Sequence, residues 1–249
     1  MTAPRVSVLM PVYNGGEYLA AALDSILSQS LAELELVAVD DGSTDGSAGL
    51  LATRAAGDPR LVIVTNPRNL GLTHSLNRGL AVCRGAYIAR QDADDLSAPG
   101  RLARQAEYLD AHAEIGVLAT AIAIVDADGG VRRERYFEDK LTNAELQAGL
   151  LVDYCIGHGS VMMRRQALDA VGGYDAAMEP AEDHDLWLRL AEVTQLACLP
   201  DALYSYRHLG TSVSRTRRSQ QVLRVAQAIE NALRRRCGPA PSADQLFPA

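Results

Sequence analysis

Glu35-Leu36-Val37-Ala38-Val39-Asp40-Asp41-Gly42-Ser43 is a short apolar run that stops abruptly at two aspartates, a glycine and a serine. Residues 35–39 read as a buried strand, and the polar group lies just past its C-terminus. The same grammar extends in both directions. Residues 6–11 form another apolar run, followed by 16–29, where Leu19, Ala22, Leu23, Ile26 and Leu27 share one helical face. Downstream, 46–56 reads as helix, 61–65 as strand, 72–83 as helix and 87–90 as strand. Strand and helix alternating in this order imply a largely parallel sheet with helices on both faces. Ligands of such sheets bind outside the carboxyl ends of the strands, where Asp40-Asp41 and Asp92-Ala93-Asp94-Asp95 both fall.

The second half is more mixed. Residues 98–110 look helical, with Pro99 near the first turn. Residues 115–125 are strand-like, and Asp126-Ala127-Asp128-Gly129-Gly130 makes a turn before a strand over 131–137. Next come a helix over 143–151, a short strand over 160–163, a break at Gly172-Gly173 and a helix over 182–193. Residues 196–199 and 202–206 read as short strands on either side of Pro200. A last helix spans 219–236, with Val222, Val225, Ala226, Ile229 and Leu233 as its apolar stripe. Arg215, Arg217, Arg218, Arg224, Arg234, Arg235 and Arg236 make this region basic. Such a helix packs on the core with cations favouring its C-terminus, or rests on an anionic membrane surface. Residues 238–249 read as a loose tail.

A chain of 249 residues, 48% apolar, can bury a substantial core without metals or disulfides. A net charge of -7 argues against nucleic acid as the partner but leaves room for a nucleotide held locally. Cys83, Cys155, Cys198 and Cys237 lack zinc or CxxC spacing and read as reduced thiols, which with the absence of a signal-peptide apolar region points to the cytoplasm. No apolar run reaches the length of a membrane span. GxGxxG, Walker A, GxSxG and HExxH patterns are all missing, so hydride transfer, P-loop hydrolysis, serine hydrolysis and zinc peptidase chemistry lose ground.

Three acidic groups carry the chemistry. Asp92, Asp94 and Asp95 repel one another, and a cation offsets that charge best. Oxygen ligands on a short loop suit Mg²⁺ or Mn²⁺. The alternative is a solvated acidic turn that caps a helix. Asp40 or Asp41 can accept from a base N–H or from ribose hydroxyls, while Ser43 or Asp45 serves the next helix as a cap. Glu182-Asp183 opens a helix, where acidic residues are stabilised anyway; facing a crevice, one of them would be a general base.

Together these segments resemble family 2 glycosyltransferases of GT-A fold. The resemblance runs from Val6 to Arg215. It rests on Pro11-Val12-Tyr13-Asn14-Gly15-Gly16, Ser25-Ile26-Leu27-Ser28-Gln29, Val39-Asp40-Asp41-Gly42-Ser43-Thr44-Asp45, Asn69-Leu70-Gly71 and Gly85-Ala86-Tyr87-Ile88-Ala89-Arg90-Gln91-Asp92-Ala93-Asp94-Asp95. Further on come His158-Gly159-Ser160-Val161, Gly172-Gly173-Tyr174-Asp175 and Glu182-Asp183-His184-Asp185-Leu186-Trp187-Leu188-Arg189-Leu190. The resemblance implies an α/β GT-A domain over 1–215: a nucleotide-sugar half over 1–97, an acceptor half over 98–215, then a helix and tail over 216–249. It implies an inverting transfer from a nucleotide sugar to an acceptor hydroxyl. Pro11, Val12, Tyr13, Asn14, Asp41 and Asn69 would line the nucleotide, with Asp41 at the base edge. Asp92, Ala93 and Asp94 would be the DxD element, Asp94 and Asp92 holding Mn²⁺ or Mg²⁺. Asp183 would be the base, with Glu182 beside it. The implied donor is a UDP-sugar, with dTDP and GDP as alternatives. The implied acceptor is a bacterial surface glycan or its lipid-linked precursor, used in the cytoplasm or at the inner face of the membrane.

One departure stands out. Relatives often place a histidine two residues past the arginine of Tyr206-Arg207; here Leu209 holds that position and His208 falls one residue early. Either His208 substitutes or Arg207 serves alone. His158 matches the family and reads as structural or as a ligand. Two other functions compete. A sugar-nucleotidyltransferase would show a Gly-rich basic loop after the first strand, which residues 11–16 lack. A non-catalytic nucleotide-sugar-binding module would suit Leu209 but not intact Asp92, Asp94 and Asp183.

Overall fold

In the computed structural model, which describes residues 3–127, 129–135, 142–152, 155–209 and 216–238, the first strand enters the middle of a nine-stranded sheet. β1 (Val6–Val12) pairs in parallel with β2 (Leu34–Asp40) and β4 (Tyr87–Arg90), and β2 pairs in parallel with β3 (Leu61–Thr65). The parallel sheet expected from residues 6–90 is therefore present. The helices between these strands are α1 (Leu19–Leu27), α2 (Ser47–Gly57) and α3 (Leu72–Leu80).

Beyond β4 the direction of the strands varies. β5 (Leu96–Ser97) and α4 (Arg101–Ala111) precede the long β6 (Ile115–Val125) and β7 (Val131–Arg135). α5 (Asn143–Gly149), β8 (Met162–Arg164), α6 (Arg165–Val171), α7 (Glu182–Leu190), β9 (Gln195–Arg207) and α8 (Arg218–Cys237) complete the order. The sheet runs β3-β2-β1-β4-β8-β6-β9-β5, with β7 on β6. β8 is antiparallel to both β4 and β6, β6 is parallel to β9, and β5 is antiparallel to β9.

Side-chain alternation divides the core between two faces. Val8, Met10, Leu36 and Ala38 point toward α1, α2 and α4, where Leu19, Leu23, Ile26, Leu51, Leu102 and Ala106 meet them. Leu9, Val37, Val39 and Ile88 point the other way, onto Leu76, Leu146, Leu168, Leu186, Trp187, Ala228 and Ala232 from the remaining helices.

Four sequence expectations change. The two strands around Pro200 are one strand, β9; the ladder to β6 shifts between Thr120–Leu199 and Ala121–Ala202, stepping over Pro200, which has no N–H to donate. β5 and α6 were not foreseen, because two and seven residues are too short to show a period. The stripe expected on α8 is rotated: Ala228 and Ala232 are buried, Val225 and Ile229 half-buried, and Val222 and Leu233 are exposed. One face of this helix packs on the core through Ala228 and Ala232, with Arg235 and Arg236 paired to Glu192 and Gln221 donating to the Pro180 carbonyl, and the opposite face is exposed. Phe137, Asp128, Arg215 and the tail beyond Gly238 lie outside the described residues.

The loops after β1 and β2 are laced together. Asn14, at φ 51, donates its N–H to Ser43 Oγ at 3.1 Å and accepts from Thr44 N–H at 2.8 Å. Gly15 and Gly16 donate to Ser47 Oγ and Asp45 Oδ2 at 2.9 and 3.0 Å. Asp45 and Ser43 thus brace the neighbouring loop, beyond any capping of α2. Gly42 sits at φ +70 with the Arg68 carbonyl carbon 2.5 Å from where a Cβ would lie. A side chain there meets left-handed strain and main-chain overlap together. Gly42→Ala is expected to destabilise the chain by about 2 kcal/mol or more, read by urea unfolding. An unchanged midpoint would mean that the two loops do not depend on this close approach.

Candidate active site

The C-terminal ends of β1, β2 and β4 open on one side of the sheet, and the loops leaving those ends form one wall of the site. After β2, Asp41 is buried and its carboxylate is heavily used. Oδ1 accepts from Asn66 Nδ2 at 2.6 Å and from Leu70 N–H at 2.8 Å, and Oδ2 accepts from Gly71 N–H at 3.0 Å. Asp41 therefore shapes the Asn66–Gly71 turn, and roughly one of a carboxylate's four acceptor directions is left for a ligand. Asn69 is exposed on that turn and closes it by accepting from Gly71 N–H. After β1, Tyr13 is half exposed (50%), Asn14 is exposed and Pro11 is partly covered. Val12 is different: its side chain is fully buried in the core, so only its main chain reaches the crevice, where its carbonyl already accepts from Asp41 N–H.

At the end of β4 the three aspartates separate into three situations. Asp95 is buried and spent: it accepts from Tyr204 Oη at 2.7 Å and from Arg207 N–H at 2.6 Å. Asp92 accepts from Arg90 Nη2 at 2.7 Å, with Tyr204 Oη 3.4 Å from its other oxygen. Asp94, among the described residues, takes no hydrogen bond from another side chain; its carboxylate meets its own N–H, and its carbonyl accepts from Arg207 Nε at 2.9 Å. Burial, then the charge of Asp92, pushes the Asp94 carboxyl up to about 6. A desolvated acid beside a second one is costly in its charged form, which is why the proton is held more tightly. The capping-turn reading of this loop loses its basis, since none of the three carboxylates caps α4, whose N-cap is Gly100.

Sequence reasoning missed the cations behind this loop. Arg90 and Arg101 are fully covered, at 1% and 0% exposure. Arg101 donates to Gln91, Ser97, Gln105 and the carbonyls of Arg90 and Val161, and stacks 5.0 Å over the Tyr204 ring. Burial pulls its pKa down to about 10. Only an arginine followed by acidic residues at a strand end could have hinted at this. Arg207 and His208 are the two alternatives for the displaced histidine. The Arg207 guanidinium is spent on the carbonyls of Asp94, Asp126 and Ala127 and lies 4.6 Å from the Tyr18 ring. His208 is exposed, with its N–H on the Val125 carbonyl.

Across the crevice, α7 begins with Glu182 and Asp183, at 4% and 5% exposure. Burial raises both carboxyls to about 7. His184 N–H, 2.7 Å from Asp183 Oδ1, works in the opposite sense, as does the charge of Arg90. Glu182 Oε2 is buried without a hydrogen-bond partner. Arg90 and Asp92 act electrostatically on both carboxyls, which brings the β4 end and the α7 end into one site. His158 is structural: Nε2 meets Tyr174 Oη at 2.8 Å, the ring lies edge-on to Trp187, and burial drives its pKa well down, which keeps it neutral.

This arrangement of strand-end acids opposite a helix-borne acid pair coincides with a match of residues 7–172 to the model of Glycosyl transferase family 2. The chain belongs to that family. It is 38% identical over 210 residues to EpsE of Bacillus subtilis (strain 168), which bears a provisional glycosyltransferase name, covering 83% of this chain and 74% of that one. It is 33% identical over 214 residues to the amylovoran biosynthesis glycosyltransferase AmsE of Erwinia amylovora, covering 85% and 79%. Among solved structures it superposes on S. aureus TarS 1-349 in complex with UDP-GlcNAc at TM-score 0.75 and 20% identity, covering 92% of this chain and just under two-thirds (66%) of TarS. The mannosyltransferase PcManGT of Pyrobaculum calidifontis, in complex with GDP-Man and Mn²⁺, superposes at TM-score 0.71 and 23% identity, covering 99% and 68%. The fold is thus GT-A, and this glycosyltransferase carries its acids at the strand ends of that fold.

The raised Asp183 pKa has a stability consequence. Its folded value, about 7, lies above the ordinary 3.8, so the protonated acid is the form the fold favours. That contribution is complete below about 4 and is lost as pH climbs through 7. Asp183→Asn removes the buried charge, and its Tm is expected to exceed that of the parent at pH 8 and to converge with it toward pH 4. Equal melting at pH 8 would mean that the carboxylate is not desolvated.

Proposed function

We propose that this glycosyltransferase transfers a sugar from a nucleoside-diphosphate donor, a UDP-sugar first, to an acceptor hydroxyl with inversion, using Asp94 and Asp92 for a divalent metal and Asp183 as base. The observation that carries the proposal is a pair of acids with no side-chain donor among the described residues: Asp94 in the loop after β4 and Asp183 at the start of α7, whose carboxylate meets only main-chain N–H groups, burial raising the two to about 6 and about 7. The domain division at residue 215 is part of the same proposal.

The donor set suits a hard cation. No three His, Cys, Asp or Glu side chains converge among the described residues, so Mg²⁺ or Mn²⁺ would draw its other ligands from diphosphate and water. When bound, the metal offsets the charge that develops on the departing nucleoside diphosphate. The chain's own residues do the rest. Pro11, Tyr13, Asn14, Asn69, the free direction of Asp41 and the main chain of Val12 line the nucleotide, and Ala93 leaves room between the two aspartates. Tyr13 offers an exposed ring on which a base can stack. The acceptor oxygen forms a bond to the anomeric carbon as the carbon–phosphate oxygen bond breaks on the opposite face, and Asp183 takes the acceptor proton. A base with a pKa near 7 is matched to that task at neutral pH.

Likeness to the amylovoran biosynthesis glycosyltransferase AmsE supports a place in polysaccharide biosynthesis, with a glycan or lipid-linked acceptor. No helix among the described residues is long and apolar enough to cross a membrane. On α8, exposed Val222, Leu223 and Leu233 lie near Arg224 and Arg234, which supports peripheral contact with an anionic inner-leaflet surface and hence a cytoplasmic location.

Calorimetry with UDP, dTDP and GDP, each with Mn²⁺ and with EDTA, is expected to give metal-dependent binding of one nucleotide that Asp94→Ala abolishes. Metal-dependent affinity that survives in Asp94→Ala removes the metal assignment. With the donor so identified, Asp183→Asn is expected to keep nucleotide affinity and lose at least about 100-fold in turnover. For α8, Leu223→Asp with Leu233→Asp is expected to reduce sedimentation with phosphatidylserine vesicles. Equal sedimentation of both forms ends the membrane proposal.

A further inference from the structure

Arg90 is a buried charge that the donor, metal and base assignments leave unused. It closes β4 at 1% exposure, where a guanidinium is costly to desolvate. Its Nη2 holds Asp92 Oδ1 at 2.7 Å, and its Nη1 donates to the Gln91 carbonyl. Nε is buried and finds no hydrogen-bond partner. The His158 segment packs on β4, His158 Nε2 meets Tyr174 Oη at 2.8 Å, and the charge of Arg90 acts on both of these and on Glu182 and Asp183. Glu182 Oε2 is the unpartnered acceptor of the same cluster. A donor and an acceptor left open in one buried cluster, with an ion pair directed at the strand-end acids, is an expensive arrangement for stability alone.

We propose that Arg90 is a positioning residue for the transfer: it orients the Asp92 carboxylate toward the donor while its charge faces the Glu182–Asp183 pair on the acceptor wall. One guanidinium thereby links the geometry of the two halves. The proposal rests on the functional reading above for what the halves do, and on Arg90's own contacts for the link. Arg90 holds Asp92 through Oδ1 at 2.7 Å, while Oδ2 meets Tyr204 Oη at the longer distance of 3.4 Å. A lysine would keep the charge but not the fork that spans Asp92 and the Gln91 carbonyl. The charged and titratable groups facing the acid pair are Arg90 from β4, Asp92 from the loop after it, Glu179 from the segment before α7, and Tyr174.

The test uses the full chain as Arg90→Lys, Arg90→Gln and Arg90→Met. In nucleotide-free protein, carbon-13 titration of the Glu182 and Asp183 carboxyls is read first. Their midpoints are expected to rise by about one pH unit in Arg90→Gln and Arg90→Met, as loss of a facing cation requires, and to return to the parent values in Arg90→Lys. Midpoints unchanged in the neutral variants overturn the acceptor half of the proposal. Calorimetry with UDP, dTDP and GDP plus Mn²⁺ is read second. Arg90→Lys is expected to bind about tenfold more weakly than the parent, because Asp92 is no longer held by a fork; equal affinity overturns the donor half. A parent chain that binds none of the three nucleotides overturns the donor assignment itself, and the titration then decides Arg90 independently.

Discussion

The buried charge balance at the end of β4 is the constraint on which the rest of the molecule depends. Two covered guanidiniums, Arg90 and Arg101, stand behind three aspartates in four residues. Neither sign could be buried alone, since an unpaired ion in a protein interior is heavily penalised. The fold answers by distributing partners. Arg101 is given carbonyls and amide oxygens, Asp95 is given Tyr204 and Arg207, and Arg90 is given Asp92. Asp94 is the residue left over, with no side-chain donor among the described residues.

That distribution explains the second half of the chain. β9 crosses the sheet beside β6 and delivers Tyr204 and Arg207 to the loop after β4. β8 reverses direction next to β4, so that the His158 segment closes over the arginine side of the site. α7 then brings Glu182 and Asp183 in at its first turn, where the partial positive charge of a helix N-terminus makes adjacent acids tolerable. At the end of β2 the same economy of contacts appears in Asp41, which organises the Asn66–Gly71 turn.

Much of this was legible in the residues. The alternation through Arg90, the acids beyond β2 and β4 and the acid pair opening α7 are local patterns, and local patterns survive as linear text. The ordered set of motifs then identified the family, which 38% identity to EpsE bears out. What escaped was short or two-sided. β5 and α6 carry too few residues for a period. The α8 stripe is rotated from the expected one: Ala226, Val222 and Leu233 face solvent, and the buried face is made by Ala228 and Ala232, whose small side chains let the helix approach the core closely.

By itself the sequence determined the α/β class, the parallel first half and the acids that fall at the strand ends and at the start of α7, because strand and helix periodicity and strand-end polarity are encoded within a few neighbouring residues. Only the tertiary structure decided which acid is free and which is spent. Asp92, Asp94 and Asp95 are nearly equivalent in the chain, and Asp95 is distinguished by a tyrosine 109 positions away. The same holds for Arg90 and Arg101, whose burial depends on strands and helices from both halves. Desolvation and pairing are properties of an assembled interior, and no local pattern contains them.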